Sequence, residues 1–372
     1  MEEVIKIETK SERLASIDIL RGFDMFFLVG AGDILRRLFG SINSDMVNPI
    51  MYQLEHADWV GFTAWDIIMP LFLFTSGLSM PLSFEKQINN GLTKSELHIK
   101  VIKRFCKLFF LGWIVQGNLL DLDLGSFHVY SNTLQAIAAG YLITSLVVLN
   151  TKKLSTRLLW GSGLLILYWL LLMFVPVPGY GSGILTPEGN LAMYVDNLLL
   201  GGFRDGTQYT WVLSSLGFGA TVLSGYYAGY IMKQYPDPKQ KLMKLLLFGA
   251  ALIIAGMLLS LQMPIIKKIW SPSLVLFSSG ICFILLAFFY WITDMRKIDC
   301  WWTKAFRYLG LNAIAAYLLY TTMGLDLISE HLLRGLQQYS TDLFPFFISL
   351  GQFAILFLII KFMYKHKIFL KV

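Results

Sequence analysis

The chain has 372 residues, of which 56% are hydrophobic and only 15% charged, at a mean hydropathy of +0.60. Soluble domains carry about 25% charged residues, so the composition excludes an ordinary soluble enzyme and, with its repeated long apolar runs, predicts an all-α polytopic membrane helix bundle. The net charge of +7 does not point to nucleic acid, because the basic residues gather in alternate loops; three cysteines without a CxxC pair support neither a disulfide framework nor a metal site.

Ten membrane spans are expected, at about 17–39, 62–84, 99–120, 131–149, 155–177, 210–232, 242–262, 271–292, 304–323 and 345–364. The N-terminal Lys6, Lys10 and Arg13 and the segments 85–107, 151–157, 233–244, 296–307 and 361–371 together hold 24 basic residues, against four in the intervening loops. The positive-inside rule then puts both termini in the cytoplasm. A short cytoplasmic tail, residues 1–16, leads into a single domain over residues 1–372 with one long outer loop, 178–209. No cleavable signal is expected: the first apolar run carries Asp18, Arg21 and Asp24, and no small-residue cleavage site follows.

Those three charges stand three residues apart, on one helical stripe. Each would cost about 2.5–3.5 kcal/mol unpaired at a helix centre. Either an ion-pair stripe locks helix packing, or Arg21 meets a phosphate arriving from the cytoplasm. Arg36 and Arg37 close the span on the outer side; they either snorkel or attract an anionic group, and Lys267 and Lys268 in a short outer loop pose the same choice.

The stretch Glu55-His56-Ala57-Asp58-Trp59-Val60-Gly61-Phe62-Thr63-Ala64-Trp65-Asp66-Ile67-Ile68-Met69-Pro70 begins as a polar loop and ends in an apolar run. His56 falls at the outer surface and Asp66 just inside the bilayer, where an ionisable group is a functional candidate by default. Pro70 clashes with the carbonyl four residues earlier, that of Asp66, so a bend is expected at the carboxylate. Neutral imidazole can take a proton from an attacking amine or hydroxyl, or accept an acyl group. A carboxylate fixes its tautomer and stabilises imidazolium.

Farther on, Asn132 and Gln135 share a face at the start of the fourth span, where amides either bridge helices or bind substrate. The outer loop 178–209 holds Asp196, Arg204 and Asp205 and reads as a lid or substrate-facing loop. Its Gly179-Tyr180-Gly181-Ser182-Gly183 lacks the Lys-Ser/Thr of a phosphate loop. Asn312 is a further buried amide in the ninth span. His98, His128, His331 and His366 have no carboxylate motif beside them and are given no role. No internal repeat relates the halves.

Arg13-Leu14-Ala15-Ser16-Ile17-Asp18-Ile19-Leu20-Arg21-Gly22, followed by His56-Ala57-x-Trp59-x-Gly61-x-Thr63-x-x-Asp66, resembles the heparan-α-glucosaminide N-acetyltransferase family and its bacterial relatives. Later blocks resemble the family in the same order: Leu134-Gln135, Asn190-Leu191-Ala192-x-Tyr194-x-Asp196, Pro264-x-x-Lys267-Lys268-x-Trp270-Ser271-x-Ser273, and Gly310-Leu311-Asn312. The resemblance covers residues 13 to 323. It departs at Gly32-Asp33, where many relatives carry Asn, and at Asp205-Gly206-Thr207-Gln208, where they show Asp-Pro-Glu-Gly.

The resemblance implies a transmembrane N-acetyltransferase that takes acetyl from cytoplasmic acetyl-CoA and delivers it to the amine of a glucosamine-type sugar on the outer side, with no metal. It assigns His56 and Asp66 to catalysis; Asp18, Arg21, Gln135 and Asn312 to the acetyl-CoA side; and Trp59, Asp196, Lys267, Lys268, Trp270 and Ser271 to the acceptor. It implies a bacterial inner-membrane setting, an amino-sugar or glycan acceptor, contact with membrane lipid and no nucleic acid, and is compatible with a homodimer. Two rival readings are a transporter of amino sugars or glycan pieces, for which the missing repeat is unfavourable, and an O-acyltransferase of an envelope glycan.

Overall fold

The computed structural model describes residues 14–42 and 45–370. All regular structure among them is helical. The expected tail, with Lys6, Lys10 and Arg13, falls almost wholly on residues outside the described ones, as does Lys371.

Every one of the ten predicted segments contains a helix. The first is α1 (Ala15–Phe26), a π-helical turn (Phe27–Ala31) and α2 (Gly32–Gly40), followed by short α3 (Asn48–Leu54). A 3-10 turn (Ala64–Ile67), α4 (Ile68–Leu78) and α5 (Met80–Asn89) form the second, and α6 (Lys94–Val115), α7 (Thr133–Asn150) and α8 (Leu154–Phe174) the next three. After short α9 (Leu191–Leu200) come α10 (Ser215–Gln234), α11 (Pro238–Ser260), α12 (Pro272–Phe289), α13 (Trp301–Leu311) and α14 (Ala313–Thr322), then α15 (Leu325–Leu333) and α16 (Phe344–Lys365). Among the described residues, six helical segments are long and apolar enough to cross a membrane, and the chain reads as an integral membrane protein. Of the other four predicted spans, the first carries Asp18, Arg21, Asp24, Asp33, Arg36 and Arg37, and the ninth is broken at Asn312.

The bend expected at Pro70 takes another form. Pro70 stands in the first turn of α4, where a helix has no use for its N–H. The 3-10 turn Ala64–Ile67 ends before it, and the chain breaks instead between α4 and α5, at Ser79.

Helices in lipid gain little from burying one another's apolar surface and rely on close contact and interhelical hydrogen bonds. Here α4 and α10 touch backbone to backbone. A Cβ on Gly225 would lie 1.9 Å from the Phe74 carbonyl oxygen, and one on Gly77 1.8 Å from that of Val222. Ser224 Oγ donates to Ser279 Oγ at 2.9 Å, and Thr144 Oγ1 to the Gly219 carbonyl at 3.1 Å. At the start of α1, the amides of Ala15 and Ser16 donate to the two carboxylate oxygens of Asp294 at 3.1 and 3.0 Å, which satisfies donors the helix itself cannot. Gly225→Ala is expected to cost about 1–3 kcal/mol, read as a lower melting temperature in detergent. Gly202→Ala, with nothing within 4 Å of the new methyl, serves as the unchanged control.

Candidate active site

Three chain segments meet at Asp66. Thr63 caps the 3-10 turn that holds the aspartate. Asp66 Oδ2 accepts the backbone N–H groups of Thr63 at 3.1 Å and Ala57 at 3.3 Å, which folds the 55–63 loop back over the turn. That places His56 Nδ1 2.7 Å from Asp66 Oδ1. Gly61 adopts φ +130°, a conformation that favours glycine, and its N–H donates to the Ile265 carbonyl at 2.9 Å. The 261–271 loop is thereby tied to the histidine loop. On its other side Thr210 N–H donates to the Lys268 carbonyl at 2.9 Å. Between these ties the loop delivers Lys267, whose Nζ lies 3.2 Å from Asp66 Oδ1 and 3.1 Å from His56 Nδ1.

Asp66 is fully buried and the Lys267 side chain 6% exposed, whereas the imidazole is 42% exposed. Burial pulls the His56 pKa below its ordinary value; the bond to Asp66 opposes this and the Lys267 charge adds to it. Burial also brings Lys267 down to about 8, against the raising effect of Asp66. With Nδ1–H donated to the carboxylate, Nε2 keeps its lone pair. A neutral imidazole of that tautomer can act as base or nucleophile.

His56 faces a cavity of about 300 Å³, whose wall also includes Tyr209, Trp211, Gln116, Asn132 and Lys267. A second cavity of about 280 Å³ has Arg21, Arg104, Ser79, Leu134, Gly310 and Leu370 in its wall. Leu28, Phe72, Thr133 and Tyr317 line both. Along each helix the two sets keep the same order: Arg21 then Leu28, Ser79 then Phe72 then Met69, Arg104 then Gln116, Ile137 then Thr133 then Asn132. The cavities therefore lie end to end along the bundle, and the four shared residues mark the constriction between them. Leu28 belongs to the π-helical turn, a feature frequent at functional sites.

The residues singled out in the sequence divide into several groups. His56, Asp66 and Lys267 come together. Arg21 lines the second cavity, with Nη1 4.0 Å from Asp18 Oδ1, while buried Asp24 accepts no hydrogen bond among the described residues. Gln135 lies behind the cavity wall: Oε1 accepts from Ser131 N–H at 2.8 Å and Asn132 Nδ2 at 2.9 Å, and Nε2 donates to the Val129 carbonyl. Asn312 donates to the Ile368 carbonyl at 3.1 Å and accepts from Leu370 N–H at 3.3 Å, pinning the tail segment that brings Leu370 to the second cavity.

Among the residues that the resemblance assigns to an acceptor, Trp59 Nε1 donates to the Leu185 carbonyl at 2.7 Å, joining the histidine loop to the long loop 178–209. Asp196 takes the N–H groups of Trp211 at 2.7 Å and Val212 at 3.0 Å; burial raises its pKa to about 6 against the pull of those amides. It thus braces the strap that carries Trp211. Lys268 Nζ donates to Gln208 Oε1 at 2.7 Å. Trp270, at φ +50°, is buried with Nε1 donating to Thr221 Oγ1 at 3.1 Å, and Ser271 caps α12. Arg36 bonds Asp33 at 2.7 Å and the Leu54 carbonyl at 3.0 Å and covers the Trp65 ring, so it supports the histidine loop from below.

Sequence reasoning missed Tyr209, Tyr317, Gln116 and Arg104. Arg104 was counted with the basic flank of the third span, yet it lies over the Tyr141 ring beside the second cavity. The position of Arg104 within its predicted span, rather than in the loop before it, was the available signal.

Residues 13–122, which include both the first-helix block and the His56–Asp66 block, match a family described as a domain of unknown function (DUF5009). Heparan-alpha-glucosaminide N-acetyltransferase of Mus musculus is 26% identical over 324 residues, taking in 72% of this chain and 49% of that protein. The protein of the same name from Homo sapiens is 26% identical over 367 residues, taking in 82% and 52%. The chain spans about half the length of these curated relatives. The matches support a family-level relation to them.

Proposed function

We propose that the chain is a transmembrane acetyltransferase of a bacterial inner membrane, with ten spans and both termini in the cytoplasm. It takes acetyl from cytoplasmic acetyl-CoA and passes it to the amine of a glucosamine-type sugar on the outer side. The observation that carries this reading is the pair of end-to-end cavities, one with arginines in its wall and the other with His56. Acyl transfer across a bilayer calls for that arrangement: cations where a phosphorylated donor enters, a narrow passage for its thioester arm, and a base or nucleophile at the far mouth. The distant relatives named as N-acetyltransferases support it independently.

In this reading His56 Nε2 either accepts the acetyl group or removes the proton from the attacking amine. Asp66 holds the other ring nitrogen and stabilises the imidazolium that forms. In direct transfer the amine attacks the thioester carbonyl, and its proton passes to the imidazole and on to the departing thiolate. In the covalent route the thiolate leaves when Nε2 attacks the carbonyl, and the amine then displaces the imidazole.

The test is transfer of label from acetyl-CoA to glucosamine by the purified protein, with N-acetylglucosamine the expected product. Sugar flux into vesicles without any acetyl-CoA requirement would favour a transporter instead, and label on a hydroxyl would favour O-acylation. Arg104→Gln is expected to raise the KM for acetyl-CoA by about 10–100-fold at little changed kcat, the loss of one charged hydrogen bond of about 1.5–3 kcal/mol.

A further inference from the structure

Lys267 is the charged member of the site that the acyl-transfer scheme leaves without a task. Its block in the sequence suggested contact with the acceptor. Its surroundings say otherwise: although Lys267 forms part of the cavity wall, its side chain is 6% exposed and its ammonium is held 3.2 Å from a buried carboxylate. We infer that Lys267 is a positioning residue, whose ammonium locks Asp66 as the acceptor for His56 Nδ1 and so keeps Nε2 unprotonated toward the cavity.

Two donors, Lys267 Nζ at 3.2 Å and His56 Nδ1 at 2.7 Å, converge on Asp66 Oδ1. An ammonium has no lone pair while charged, so it cannot accept from Nδ1; both groups must donate to the carboxylate. The two nitrogens then stand 3.1 Å apart. In that state lysine and aspartate cancel, and the imidazole is neutral. Adding a second proton to the ring would set two cations side by side in a largely buried place, which the lysine opposes. The loop that carries Lys267 is held rigidly for this purpose by the ties from Gly61 and Thr210 and by buried Trp270.

Other charges near the ring fit the same account. Asp66 comes from the turn before α4, and Arg36 adds positive potential from the end of the first helix. Asp205 and Tyr209 line the cavity from the strap before α10, and burial pushes the Tyr209 phenol up, so that it stays neutral. Glu55 and Asp58, beside His56 in its own loop, are exposed to solvent.

This inference rests on His56 being the group that handles the acetyl, so the test reads the imidazole both with and without turnover. Ethoxyformylation of His56 by diethyl pyrocarbonate, followed by mass spectrometry of its peptide, reports the neutral ring as a function of pH in the full chain without substrate. Wild type should show a midpoint below the ordinary histidine value of about 6.5. In Lys267→Met the midpoint should rise by about one pH unit, and the acid side of the acetyl-transfer profile should move with it. Above the new midpoint its kcat should level off at the reduced rate that wild type reaches above a pH of about 8, where its own lysine is neutral. Below it kcat should fall about tenfold per pH unit, with the KM values for both substrates unchanged.

Lys267→Arg should keep the wild-type acid side. Its guanidinium does not deprotonate, so the fall in rate expected above pH of about 8 in wild type should vanish. An unmoved ethoxyformylation midpoint in Lys267→Met would overturn the inference. So would a raised acceptor KM with both pH profiles intact, which would make Lys267 a substrate contact. If the methionine protein does not fold, the arginine protein decides alone, since a retained alkaline fall overturns the assignment. If wild type transfers no acetyl, the acetyltransferase reading fails while the ethoxyformylation midpoint still decides the role of Lys267.

Discussion

In a folded His56→Ala protein, acetyl transfer from acetyl-CoA to glucosamine is expected to fall by at least about 10²–10⁴-fold, the range of a positioned general base. The loss should lie in kcat. His56 lines a different cavity from Arg21 and Arg104, so the donor binding proposed beside those arginines should survive its removal. Retained acetyl-CoA affinity is therefore both the control for folding and a part of the prediction. The substitution is mild structurally, because the imidazole is 42% exposed and the loop is held by Ala57, Gly61 and Thr63 rather than by the ring. Full activity in this protein would remove His56 from the chemistry. A mass increment of one acetyl on His56 in wild type exposed to acetyl-CoA alone would favour the covalent route over direct attack.

Asp66→Asn should damage both rate and stability, for separable reasons. An amide that offers its NH₂ to His56 makes Nδ1 an acceptor and moves the ring proton to Nε2, the wrong tautomer for a base. The expected loss in kcat is about 10⁴-fold. The same change strips Lys267 of its anion in a site where the lysine is 6% exposed, and breaking a buried pair on one side costs about 3–5 kcal/mol. A second substitution, Lys267→Met, removes the stranded cation. The double variant Asp66→Asn/Lys267→Met should regain melting temperature without regaining activity. Recovery of both together would mean that the aspartate matters only for folding.

How much of this was legible in the chain depends on the length scale of the signal. The helices were, because long apolar runs with basic flanks are local features; each predicted span contains one. Their ends were less so. The break at Asn312 has no proline to announce it, since it is made by the amide bonding to the tail segment 56 and 58 residues on. His56 and Asp66 could be read together because one motif carries both, ten residues apart.

Lys267 was visible as part of a block but not as a partner of Asp66, because that contact depends on a turn at Trp270 with φ +50° and on ties to two other loops. Asp196, Trp270 and Ser271 show the reverse. Their motifs stand out, yet their side chains hold loops in place. Tyr209 and Tyr317 carried no signal at all, being single aromatics in a chain rich in them.

The constriction between the two cavities also has an electrical meaning. A bundle with a cavity toward each end and only four shared residues between them is one step from being an ion leak. Leu28 and Phe72 offer a hydrated ion nothing to replace its water; Phe72 stands on α4, which packs against α1, the helix that leads into the turn of Leu28. On the proposed reading, a partition that passes a slender acyl arm must at the same moment fit it tightly, because whatever space the arm leaves is open to protons driven by the membrane potential.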